Sequence, residues 1–188
     1  MRTIKNTLFF SCLFFLICLT ATAQTEEYKE PTLPINQDTK LITYNKVVEV
    51  SANKDSLFKK GKKWFYTFYK NPTGVIKEED AANGKIAGKH QIKILNPIDK
   101  KGIQTMRGIV KYSVTTQFQD NKARIVISDI NIESASYTPV EKWLDKTDPS
   151  FTTKNYFYFT QIDSIINGVT LNFEKFIKEA NKVKKDEW

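Results

Sequence analysis

Between Lys85 and Ile132, polar and apolar residues alternate through three consecutive runs. A period of two places successive side chains on opposite faces of a strand, so these runs commit the chain to a sheet with one buried and one wet face. The first run, residues 85–95, sets Ile86, Gly88, His90, Ile92 and Ile94 inward and Lys85, Ala87, Lys89, Gln91 and Lys93 outward. Residues 106–118 set Val110, Tyr112, Val114 and Phe118 inward, with Arg107, Lys111, Ser113, Thr115 and Gln117 outward. In the third run, residues 123–132, the apolar parity changes from Ile125 and Ile127 to Ile130 and Ile132. One face stays buried across that change only if an extra residue is inserted, which predicts a bulge at Ser128-Asp129. Loops at 96–102 and at Asp120-Asn121 join the runs as antiparallel neighbours. Asn83-Gly84, ahead of the first run, is a two-residue hairpin signal because both positions of such a turn take positive φ. It predicts a further short strand over 75–82.

Helical patterns flank the strands. Residues 41–50 (LITYNKVVEV) alternate as a first strand, with Ile42, Tyr44, Val48 and Val50 on one side. Asn53 then offers an N-cap for a helix running to about Tyr69. Leu57, Phe58, Gly61, Trp64, Phe65 and Phe68 form its three- and four-spaced stripe. Gly61 costs that helix roughly 1 kcal/mol relative to Ala, which points to close approach of helix and sheet. Asn71-Pro72-Thr73-Gly74 stops it. Residues 134–153 read as a long polar connection carrying Trp143. A final helix, from about Asn155 or Thr160 to about Lys184, carries the stripe Ile162, Ile165, Ile166, Val169, Phe173, Phe176 and Ile177, which Gly168 interrupts without breaking. The predicted order is β-α-β-β-β-β-α: an α+β domain, an antiparallel sheet with two helices packed on one face.

That order matches the TATA-box-binding-protein-like (TBP-like) fold, shared in outline by helix-grip lipid binders. Leu33-Pro34-Ile35, Leu41-Ile42-Thr43-Tyr44 and Val47-Val48-Glu49-Val50 resemble a family of uncharacterised, exported bacterial envelope domains assigned this fold. The likeness continues through Asn53-Lys54-Asp55-Ser56-Leu57-Phe58 and Lys63-Trp64-Phe65. Asp80 and Gly84-Lys85-Ile86-Ala87-Gly88-Lys89 complete it, so that it covers roughly residues 33–132. Members often carry Ala where this chain has Gly61. The resemblance implies a fold and a compartment but no reaction, and it transfers no functional residue.

The start of the chain speaks to the compartment. Arg2 and Lys5 precede an apolar run, Leu8 to Leu19, followed by Ala21-Thr22-Ala23. A basic start, a short apolar core and small residues two apart form a secretory signal cut after Ala23. The run is too short for a spanning helix, which needs roughly 20 residues. Residues 1–23 are therefore expected to be a signal peptide, 24–37 (with Pro31 and Pro34) a linker, and 38–188 a single domain, exported to the periplasm or secreted. Both cysteines, Cys12 and Cys18, lie in the removed segment, so the mature chain has no disulfide and no thiolate chemistry. Lipidation is not expected at either, since Cys18 follows Ile17 and Cys12 sits too early in the apolar run. Removing Arg2 and Lys5 lowers the formal net charge from +8 to +6. Outside the cytoplasm such a charge suits anionic lipid, acidic glycan or an acidic envelope protein, with peripheral membrane contact, and not nucleic acid.

No catalytic set emerges. Gly84 to Lys89 has glycines one residue too close for a P-loop, and His90 stands where Ser or Thr should hold magnesium. His90 is the only histidine, so a histidine-centred metal site lacks ligands, and no metal or other cofactor is expected. As a general base it would need an orienting acid, Asp80 or Asp129; the alternative is a hydrogen-bonded core or pocket-wall residue. Glu78, Glu79 and Asp80 read as an exposed strand end. The outward sheet face carries Lys85, Lys89, Lys93, Arg107, Lys111 and Arg124, six cations that either attract an anionic ligand or keep a solvated face from aggregating. Lys59, Lys60, Lys62 and Lys63 add charge to the first helix, and Lys182, Lys184 and Lys185 to the end of the last. The expectation is a non-enzymatic exported cell-envelope protein that binds a ligand or partner through its basic sheet face or a sheet–helix cavity. An envelope hydrolase using His90 and a carboxylate is the alternative, and an assembly subunit without a small ligand is a third reading.

Overall fold

The computed structural model describes residues 28–179. The predicted signal peptide and the cationic tail Lys182, Lys184 and Lys185 lie outside them. The elements run β1 (Tyr44–Glu49), α1 (Lys54–Phe68), the one-turn α2 (Pro72–Val75), β2 (Ile76–Asp80), β3 (Lys85–Leu95), β4 (Met106–Gln119), β5 (Lys122–Ile132), β6 (Thr138–Pro139), a 3-10 turn (Val140–Leu144) and α3 (Lys154–Lys178). All pairings are antiparallel, in the order β1-β5-β4-β3-β2, with β6 following β1 along the outer edge of β5.

Both long helices lie on the face that receives the inward residues. Ile86, Ile94, Val110, Val114, Phe118, Ile125 and Ile127 are buried together with Trp64, Phe65, Phe159, Ile166 and Phe173 in one core. Trp64 is its centre, packed against Phe65, Phe68, Tyr69 and Phe173 with ring centroids 5.0–5.7 Å away. Its indole N–H donates to Asn172 at 2.8 Å, so the buried ring leaves no orphan donor. Asn53 caps α1 by accepting from Ser56 N at 2.8 Å, and the β4–β5 turn adds Asp120, which accepts from Lys54 N at 2.8 Å. Gly61 is buried, and a β-carbon there would overlap the Phe118 ring, which accounts for the glycine in an apolar stripe.

The predicted bulge in β5 is present. Ser128 pairs with Ser113 and Asn131 with Lys111, so three steps along β5 answer two along β4. Asp129 takes a left-handed φ of 55° there, which returns Ile130 to the core after Ile127. Elsewhere the structure departs from expectation. The hairpin at Asn83-Gly84 is a four-residue loop, since β2 ends at Asp80; only Gly84 has positive φ, while Asp80 accepts from Asn83 N at 3.0 Å and shapes the turn. The connection 134–153 holds a two-residue strand and a 3-10 turn. The described part of the 24–37 segment lies along the domain. Ile35 bridges Ile42, Leu33 packs on the core, and Glu30 pairs with Lys146 at 2.7 Å.

Candidate functional site

The outward face of the sheet is wet, as its alternation requires: Ala87, Lys89, Gln91, Lys111, Ser113, Thr115, Arg124 and Val126 are all half-buried or exposed. Its six predicted cations differ in their partners and in their placement. Lys85 is bound by Glu78 at 2.9 Å and Lys111 by Glu133 at 2.7 Å. Arg124 donates to Asn45 at 3.0 Å. Arg107 is not on the face with the others. Ile94 pairs with Gly108 and Leu95 with Met106, so Arg107 is the extra residue of a bulge. Its guanidinium sits 5.4 Å from the Trp143 ring and 5.5 Å from the Tyr158 ring, on the helix side of the sheet. Among the described residues, Lys89 and Lys93 alone of the six have no hydrogen bond, ion pair or ring partner.

A concavity lies at the edge of the sheet. β2 ends its pairing at Ile76–Gly88, whereas β3 runs on to Leu95, so β3 from Lys89 onward has a neighbour on one side only. Asn96 N donates across to Thr105 at 2.8 Å, so by strand alternation the odd residues 89, 91, 93 and 95 turn their backbone groups to the free edge. At Leu95 the carboxamide of Gln161, from α3, satisfies both groups, at 3.1 and 2.8 Å. Below it the edge opens into a cleft of about 950 Å³. Phe68, Val75, Ile92, Ile165 and Val169 make an apolar wall where α1 ends and α3 passes the sheet edge. Around the same edge, Gln91, Ser113, Asp129 and Tyr137 bring polar groups from the opposite face. Lys70, Lys77 and Lys89 stand on the walls, and among the described residues none of the three is paired.

Asp129 is fully engaged: Ser113 and Tyr137 donate to its two oxygens at 3.1 and 2.7 Å. That contact pushes the Tyr137 hydroxyl up to about 12. His90 lines the helix side of the cleft, 4.8 Å from the Tyr69 ring and 5.8 Å from that of Tyr112. Partial burial pushes its imidazole below the ordinary value, and no carboxylate opposes the shift. Asp80 is occupied in its own turn, and Asp129 lies on the opposite face of the sheet from His90. Neither acid predicted to orient His90 reaches it. Among the described residues, no cluster of three or more His, Cys, Asp and Glu side chains is placed to hold a metal ion.

On α1, Lys62 pairs with Glu79 at 2.7 Å and Lys60 donates to the Glu179 carbonyl, so half of that predicted cationic run is spent within the domain. Sequence reading missed Lys70, Lys77 and Ile165 as cleft residues. Two signals pointed to them: a strand of 75–82 too short to cover its partner, and an apolar stripe on α3 wide enough at Ile165-Ile166 to overhang the core.

Residues 44–133 match the domain of unknown function DUF4468, described as having a TBP-like fold. Among solved structures, the fold is similar to a DUF4468 family protein from Bacteroides ovatus, with TM-score 0.56 and 16% identity over 78% of this chain and 93% of that one. It is also similar to a TBP-like protein from Parabacteroides distasonis, with TM-score 0.51 and 18% identity over 71% and 93%. Among curated proteins no match is found.

Proposed function

From the premise that this chain carries a DUF4468 domain of TBP-like fold, we propose that it is a non-enzymatic, exported cell-envelope protein whose cleft at the free edge of β3 binds an anionic amphiphile. One observation carries this reading: a single cleft of about 950 Å³ combines an apolar wall with the unpaired cations Lys70, Lys77 and Lys89. A buried apolar surface favours a hydrocarbon group, and unpaired ammonium groups at its margin favour a carboxylate, sulfate or phosphate head. The basic sheet face is the weaker half of the original expectation, because Lys85, Lys111 and Arg124 already have partners. Export rests on the basic, apolar and small-residue pattern of residues 1–23.

The test uses 11-(dansylamino)undecanoic acid, whose fluorescence reports an apolar site and whose carboxylate supplies the head. Saturable binding is expected, weakened about tenfold or more by Lys70→Glu with Lys89→Glu and separately by Ile165→Asp. Affinity unchanged by both variants, or equal affinity for the neutral amide of the probe, would sink the proposal. His90→Ala should leave binding within a few-fold, since His90 is a wall residue.

A further inference from the structure

The connection from β3 to β4 displays its apolar residues instead of burying them. Ile98, Ile103 and Met106 are 63%, 53% and 56% exposed. They are held in place by a hydrogen-bonded turn. Asp99 N donates to Ile103 O at 2.9 Å, and the Asp99 carboxylate accepts from Lys101 N and Ile103 N, each at 2.8 Å. Farther down, Asn96 pairs with Thr105 through both backbone and side chain, at 2.8 and 3.0 Å, and Gln104 donates to Asn96 O at 3.1 Å. Gly102, at φ 78°, supplies the left-handed residue the turn needs. The turn thus holds two isoleucines and a methionine in water, an exposed apolar grouping of the kind that marks an interaction site.

Charge completes the pattern. Lys100 and Lys101 stand between the two isoleucines, with Lys93 at the base of the hairpin. Asp99, the one acid among them, is turned inward onto backbone amides. An exposed tip with apolar side chains flanked by ammonium groups suits the boundary of an anionic bilayer, where the side chains enter the acyl region and the cations meet the headgroups. We infer that the β3–β4 hairpin docks the protein on an anionic membrane surface through Ile98, Ile103 and Met106. This site is separate from the cleft, and neither reading depends on the other.

Among the described residues the core lies within 33–177, so the chain from Gln24 is the form to test, without the apolar residues 8–19 adding membrane affinity of their own. Vesicles of phosphatidylethanolamine with phosphatidylglycerol should co-sediment the protein, and phosphatidylcholine vesicles should hold it at least tenfold more weakly. Ile98→Ser with Ile103→Ser, and separately Lys100→Glu with Lys101→Glu, should each lower partitioning about tenfold, with thermal melts unchanged because all four positions are exposed. An Ile98→Trp chain should shift its emission to the blue only when anionic vesicles are added. Lys70→Glu with Lys89→Glu should not alter partitioning, which keeps this test apart from that of the cleft. Absent partitioning, partitioning insensitive to both loop variants, or a blue shift on raising protein concentration without lipid would overturn the inference; the last would mark a contact between copies of the chain.

Discussion

At Gly61 the lack of a side chain lets the Phe118 ring lie against the α1 backbone. Ala would gain roughly 1 kcal/mol of helix propensity but force an overlap whose relief costs about 1–3 kcal/mol. Gly61→Ala is therefore expected to lower the urea midpoint, and adding Phe118→Leu to restore part of it. A further drop in the double variant would contradict this packing. His90 supports a prediction of a different kind. Burial lowers its pKa in the folded protein, so the unfolded chain binds the proton more readily. Stability is then held above the unfolded imidazole value, near 6.5, and is lost as the pH falls from there toward the folded value. Thermal melts from pH 7.5 to 5 should show that decline, and His90→Gln should flatten it. A decline of equal slope in the variant would assign the effect to other groups.

The strands show how far alternation alone reaches. β3 begins and ends where its parity predicted, and the change between Ile127 and Ile130 located the β5 bulge within one residue, because a buried face tolerates no slip. Asn53 was equally legible, since a side-chain acceptor before an apolar stripe has few other uses; Asn53→Ala should cost about 1 kcal/mol by chemical denaturation. What stayed hidden depends on partners distant in sequence. No local pattern shows that Glu78 and Glu133 neutralise Lys85 and Lys111, or that a bulge moves Arg107 to Trp143 and Tyr158. β6 is two residues long and contains Pro139, too short for periodicity to register. Asp129 joins both levels, with a left-handed backbone and two side-chain bonds. Asp129→Ala should destabilise by about 1–3 kcal/mol, and Asp129→Gly, which relieves the backbone, by less. Equal losses would place the whole effect in the hydrogen bonds.

At the scale of the domain, a sheet covered on one side by two helices leaves the wet face, the free edge of β3 and the loop tips open to solvent. Ion pairs within the domain occupy much of the face. The edge gains a cleft because the pairing of β2 ends at Ile76, opposite Gly88, while β3 continues, and the tip between β3 and β4 carries the exposed isoleucines. No helix among the described residues is long and apolar enough to cross a membrane. The fold was legible as an α+β sheet with one-sided helices. The cleft was not, because it arises from a mismatch in strand lengths and from where α3 crosses the edge. Backbone amide NMR of the chain from Gln24, titrated with 11-(dansylamino)undecanoic acid, tests the cleft most directly. Shifts gathered in residues 68–77, 89–93 and 165–169 are predicted; shifts confined to Lys85 and Arg124 on the sheet face, or spread without focus, would contradict it.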